Sequence, residues 1–137
     1  MLPGAAGERP ADVLLPHFSG GKHEALDVCV VSSLQAQLVE RAADEPGHAL
    51  EFRYQQKMRK YSEACLAEGI IFTPVAMEVL GGMNEASINI IRKLGRSLAR
   101  AGGQDEGEVT KHLFGRLSIL LQRGNCSLIM SRNQTHP

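Results

Sequence analysis

Short apolar runs and helical periodicities divide this chain into its elements. Ala11 to Pro16 (ADVLLP) is a brief apolar run between prolines, and Glu24 to Val31 (EALDVCVV) is β-branched and apolar on both faces. Both are predicted strands. Between them HFSGGKH places Ser19, Gly20 and Gly21 at a turn, which predicts an antiparallel hairpin with a longer loop. Side-chain alternation then puts Asp27 and Cys29 on one face of the second strand and Leu26, Val28 and Val30 on the other.

Helical character is predicted from about Leu34, with Glu45-Pro46-Gly47 ending one segment and starting another. In the next helix, about His48 to Glu68, residues Leu50, Tyr54, Met58, Tyr61 and Cys65 recur at helical spacing and form the predicted buried stripe. Lys57 sits at the edge of that stripe, whereas Arg53, Arg59 and Lys60 lie further round, toward solvent or a polyanion. Gly69 is placed to stop the helix, and IIFTPVAMEV reads as a buried strand whose Pro74 argues for an edge position or a bulge. Gly81-Gly82 turns the chain into a helix capped by Asn84, with Ile88, Ile91, Leu94, Gly95 and Leu98 inside and Arg92, Lys93, Arg96 and Arg100 outside. After GGQDEGE a last helix is predicted with Leu113, Leu117, Leu120 and Leu121 inside, and Asn125 to Pro137 trails off with little pattern after Ile129. The expected order is β-β-α-β-α-α, an α/β or α+β fold in which helices cover a mixed sheet. Residues 1–9 are expected to be a flexible lead-in, 10–101 the core, and 102–137 a C-terminal helix and tail.

Composition narrows the function classes. The 137 residues fit one ordinary domain, and 43% hydrophobic with 22% charged residues is a globular balance. Fifteen basic and fifteen acidic residues cancel, so a nucleic-acid partner would have to be met by local patches. Aromatic residues make up 4% and Trp is absent, which disfavours a base-stacking single-strand binder. Cys29, Cys65 and Cys126 are odd in number and lack CxxC spacing, and no apolar run approaches the roughly 20 residues of a membrane span. The expectation is a soluble intracellular protein, nuclear or cytoplasmic, with no membrane partner.

Asp27 is the chemical anomaly. A carboxylate among Ala25, Leu26, Val28, Val30 and Val31 is costly to bury unless a cation or a metal neutralises it. Asp12, heading the first strand, is brought beside it by the hairpin, and two aspartates with retained waters are enough for magnesium. Lys57 is the candidate positive partner, for a phosphate or simply for Asp27 in a structural ion pair. Cys29 reads as a small buried hydrophobe, the five histidines lack ligand spacing, and Glu78 reads as a turn or helix-start residue.

Arg9-Pro10-Ala11-Asp12, then ALDVCVV with Asp27, then Lys57-x-x-Lys60-Tyr61 together form a recognisable series. It resembles the restriction-like endonuclease domain of non-LTR retrotransposon polyproteins, a branch of the PD-(D/E)xK nuclease superfamily. The likeness runs from Arg9 to about Leu98 and includes Phe72-x-Pro74 and Leu80-Gly81-Gly82. It implies a restriction-endonuclease-like mixed sheet and a metal-dependent DNA endonuclease, with Asp12 and Asp27 holding Mg²⁺ or Mn²⁺ and Lys57 or Lys60 assisting catalysis. Arg53, Arg59, Arg92 and Lys93 are then candidate contacts to DNA phosphates. The series departs from the family where Ala11 splits the Pro-Asp pair and where Cys29 stands in place of the lysine two positions after the strand acid. The family's core also has a helix and a strand upstream, so the chain is expected to be a fragment or remnant of a larger protein that carried a reverse transcriptase. Two functions follow: an active endonuclease, for which pairing of two copies would cut both strands, or an inactive nuclease fold kept as a nucleic-acid or protein interaction module.

Overall fold

A computed structural model describes residues 11–133, in the order β1 (Val13–Ser19), β2 (Lys22–Val31), α1 (Val39–Asp44), α2 (His48–Ala67), β3 (Ile70–Glu78), α3 (Glu85–Gly102) and α4 (Glu106–Asn133). The lead-in 1–9, with Pro10 of the Arg-Pro-Ala-Asp series and the last four residues of the tail, lies outside the described residues. The fold is mixed α+β, with a three-stranded mixed sheet and four helices. The short α1 makes the order β-β-α-α-β-α-α, one helix more than the expected β-β-α-β-α-α. No helix among the described residues is long and apolar enough to cross a membrane.

The strands lie in the order β1-β2-β3. β1 and β2 are antiparallel, and the expected longer loop is instead the two-residue turn Gly20-Gly21, both glycines at positive φ (58° and 81°) as a tight hairpin turn with the right twist requires. Pairing runs from Val13↔Leu26 to Leu15↔Glu24, slips, and resumes at Ser19↔Lys22. His17 takes up the slip with φ 52°, its ring Nδ1 donating to the Gly21 carbonyl at 2.9 Å. β2 and β3 are parallel from His23↔Ile70 to Val31↔Glu78, and parallel neighbours need a crossover, which α1 and α2 supply. Pro74, which cannot donate a ladder hydrogen bond, sits in β3 at the sheet edge, as the sequence predicts.

Helix α1 begins five residues later than the periodicity suggests. The Ser32 hydroxyl and carbonyl accept from the amides of Leu34 and Gln35, at 3.2 and 3.3 Å, and this local turn competes with helix. Helix α2 fills almost the whole predicted span. Its stripe divides between two clusters on one sheet face: Leu50, with Tyr54 against it, joins Cys29, Val31, Leu38, Ala49 and Ala76, while Cys65, with Met58 and Tyr61, joins Ala11, Ala25, Ile70 and Phe72. The opposite face of β2 leaves Val28 and Val30 45% and 47% exposed.

By its contacts the chain separates into two units, one of residues 1–78 and 82–87, the other of residues 79–81 and 88–137. In the first, Asn84 caps α3 as predicted, its Oδ1 accepting the Ser87 amide at 3.1 Å. The Ser87 hydroxyl donates to the same oxygen and accepts the Ala76 amide at 2.8 Å, tying the cap to β3. In the second, α3 and α4 are joined at Gly103, which has φ 62°, and Asp105 caps α4 by accepting the Glu108 amide at 2.9 Å. The helices meet at Gly95, where an added β-carbon would lie 3.1 Å from the Cα of Thr110. This close approach turns small residues inward, so Gly95 and Ala99 are buried, whereas the expected core residue Leu98 is 48% exposed. Along α4 Leu121 is buried, Leu113 and Leu117 are half-buried, and Leu120 is exposed rather than inside. The helix also continues to Asn133, past the point where its apolar pattern fades.

Candidate functional site

The site residues gather where β2 passes under α2. Asp27 alternates onto the same face as Cys29 and Val31, and that face is covered by α2. Its side chain is 9% exposed, and the ammonium of Lys57, a side chain 22% exposed, lies 2.9 Å from its Oδ2. Lys57 therefore reaches inward from the margin of the buried stripe. The contact is an ion pair in distance but not a directed hydrogen bond, for the fully buried Oδ2 accepts none within the described residues. The Lys57 ammonium is also 5.6 Å from the Tyr61 ring centroid, and a cation is attracted to that π face.

Asp12 stands one position before β1, and its amide donates to the Leu26 carbonyl at 2.9 Å. The register begins at Val13↔Leu26, and Asp12, a bend outside the ladder, does not pair with Asp27 but shares Leu26 with Val13. One of its carboxylate oxygens, Oδ2, accepts the Val28 amide at 2.8 Å, so the side chain prolongs the hairpin ladder by one hydrogen bond. Asp12 itself is exposed. The structure thus brings the buried Asp27 carboxylate and Lys57 together, while the exposed Asp12 carboxylate is bound to the backbone next to Asp27. Among the described residues no group of three or more His, Cys, Asp or Glu side chains is placed to hold a metal ion.

The other cations of α2 take different places. Lys60 is exposed, with its ammonium 4.9 Å from the Tyr61 ring centroid. Arg53 is half-buried and donates to the Gln56 side chain at 2.6 Å, and its guanidinium also leans on the Cys29 thiol. Arg59 donates to the Gln55 carbonyl at 3.3 Å. On α3, Arg92 is exposed and Lys93 half-buried. Glu78 accepts from the Ser33 hydroxyl at 3.0 Å and lies at the end of β3, consistent with a turn role.

Glu24 is a second buried acid, for which the strand pattern gives no reason beyond its place opposite Leu15. Its carboxylate accepts from Thr73 at 2.7 Å and from Ser19. The signal lies in hydroxyl residues far apart in sequence, and only the register brings them together.

Burial pushes the Cys29 thiol above its ordinary value; nearby Asp27 acts in the same direction, and the Arg53 and Lys57 charges oppose it. Burial raises Cys65 as well, and Cys126 is exposed on α4. Because the thiolate is the reactive form, one thiol of the three is expected to react with a disulfide reagent in the native protein at about pH 8. That thiol is Cys126, and the other two follow on unfolding. Rapid native modification of Cys29, located by peptide mapping, would contradict the burial of the β2–α2 interior.

No family model, curated protein or solved structure matches the chain.

Proposed function

We propose that the chain is a metal-dependent DNA endonuclease domain of restriction-endonuclease-like fold and retroelement origin, acting through Asp12, Asp27 and Lys57. The observation that carries this reading is the buried Asp27 carboxylate, held 2.9 Å from Lys57 on α2. A purely structural pair has no need of a further acid, and the Asp12 carboxylate accepts the amide of Val28, the residue next to Asp27.

The donor chemistry fits a hard divalent cation. Magnesium binds through one or two carboxylates and keeps several waters, and Asp12 with Asp27 supplies that number. An oxygen of Asp27 lacks a directed hydrogen bond, and Asp12 uses one oxygen for Val28 and retains the other. When bound, Mg²⁺ or Mn²⁺ would supply an activated water and charge neutralisation at the scissile phosphate. Asp27 would hold the ion from the interior of the fold and Asp12 from the solvent side. Lys57 would exchange its ion pair for the negative charge developing on the phosphate, a donor in place before the reaction begins. Cys29 occupies the position of the family's usual lysine, and the helix-borne Lys57 would supply that charge instead.

One observation favours a second reading, an inactive nuclease fold that serves as an interaction module. Asp27 and Lys57 already neutralise each other, and Asp12 is committed in part to the backbone. The two readings part in a supercoiled-plasmid assay with Mg²⁺ or Mn²⁺. Nicking by the parent is expected to vanish with EDTA and in Asp27→Ala, and to fall at least about tenfold in Lys57→Ala, as loss of a positioned charge at a developing anion does. Far-UV circular dichroism of each variant separates lost chemistry from lost fold. A folded parent that nicks no DNA with either metal would sink the nuclease and leave the interaction module.

A further inference from the structure

We infer that the α3–α4 helical pair is the element that grips nucleic acid, with the phosphate backbone lying in a groove that carries Arg92, Arg96 and Lys111. The identity of the polyanion rests on the nuclease reading; the location of the grip does not. The zero net charge of the chain conceals a division between its two units. Residues 79–81 and 88–137 contain eight lysines and arginines against three acids, and the remainder contains seven against twelve. Basic charge is therefore concentrated in the unit that contains neither Asp12 nor Asp27.

Within that unit the cations converge on a concave surface. A groove of about 460 Å³ runs between the two helices, lined by Arg92 and Arg96 from α3 and Lys111, Thr110 and Phe114 from α4. Arg92 and Arg96 are one turn apart, about 6 Å along the helix axis, a distance that spans about two phosphates of one strand at about 3.4 Å each. All three cations are exposed, and none makes a hydrogen bond or ion pair within the described residues. The acid in the lining, Glu106, is 3.3 Å from Arg100 and so is already answered by a fourth cation. The contrast with α2 is direct, because Arg53 and Arg59 are engaged by Gln56, Cys29 and the Gln55 carbonyl. The Thr110 hydroxyl faces Gly95 at the base of the crossing, so the groove is floored by a close helix contact rather than by mobile side chains.

The test is fluorescence anisotropy of the full chain with a short labelled DNA duplex and an RNA duplex of equal length, in EDTA and over a salt series. Arg92→Gln, Arg96→Gln and Lys111→Gln combined are expected to weaken binding by roughly tenfold or more and to flatten the slope of log K against log salt by about 2 to 3. Arg53→Gln with Arg59→Gln should leave both unchanged. The effect should be equal on DNA and RNA, since phosphates carry no sequence and are common to both. A triple variant that binds like the parent, or that loses affinity for one duplex alone, overturns the proposal. The nuclease reading fails separately: a parent that binds through the groove but never nicks removes the enzyme and keeps the grip, whereas nicking with an unaffected triple variant does the reverse.

Discussion

Lys57→Ala is expected to destabilise the protein by about 3 kcal/mol, the lower end of the range for removing one partner of a buried ion pair. The lower end applies because Lys57 is 22% exposed, so water reaches its end of the pair, while Asp27 is 9% exposed and would be left charged against Cys29, Ala25 and the underside of α2. Asp27→Ala should cost less, since the freed lysine has a flexible stem with which to carry its ammonium toward solvent. Replacing both, as Asp27→Leu with Lys57→Met, should recover most of the loss, for an apolar pair of similar volume avoids the desolvation cost of two charges. Urea unfolding of the four proteins gives the comparison. If Lys57→Ala unfolds at the parental midpoint, Asp27 is not held by Lys57, and the geometry of the candidate site is wrong at its centre. A double variant that regains stability and loses nicking would separate what the pair does for the fold from what it does for chemistry.

The second large effect lies in the other unit. Gly95→Leu is expected to cost about 3 kcal/mol or more, from the upper part of the range for overpacking a well-filled contact. Leucine is intrinsically better than glycine in a helix by nearly 1 kcal/mol, so an open site would have shown a gain. The site is not open: even the β-carbon would lie 3.1 Å from the Thr110 Cα, a backbone atom that cannot move aside without separating α3 from α4. Gly95→Ala should be destabilising in the same sense, with the smaller side chain costing less. Thermal unfolding followed by circular dichroism reads both, and a rise in midpoint for Gly95→Ala would show that the helices do not cross at this residue. Because the groove with Arg92, Arg96 and Lys111 is built on this crossing, Gly95→Leu should also weaken duplex binding.

Elements whose signal is local were legible in the sequence. Helix α2 is delimited by Pro46-Gly47 and Gly69, residues with conformational preferences of their own, and its observed span His48–Ala67 differs from the predicted one by a single residue. Asn84 and Pro74 behave likewise, each doing what its own chemistry permits. Periodicity misled where the partner surface set the burial. On α3 the regular series chose Leu98, but the close passage of Thr110 selects the face with Gly95 and Ala99. At the candidate site, Asp27 stood out because a carboxylate in an apolar strand is costly, and Lys57 because it bordered an apolar stripe. The hydrogen bond from Val28 to Asp12, and the hold of Ser19 and Thr73 on Glu24, depend on register, which no single segment encodes. Arg53 read as a solvent-facing charge because the wheel of α2 carries no information about Cys29 beneath it.

The interruptions in the two outer strands bear on how the chain behaves in crowded solution. A sheet with Val28 and Val30 uncovered on one face would invite other chains to add strands along its margins. On the β3 margin Pro74 lacks the amide that such an addition would need midway along the strand. On the β1 margin the irregular stretch around His17 leaves regular ladder only from Val13 to Leu15, too short a template to seed a growing stack. The proline and the bulge thus act as stops on polymerisation, keeping an exposed row of valines from becoming the first layer of an aggregate.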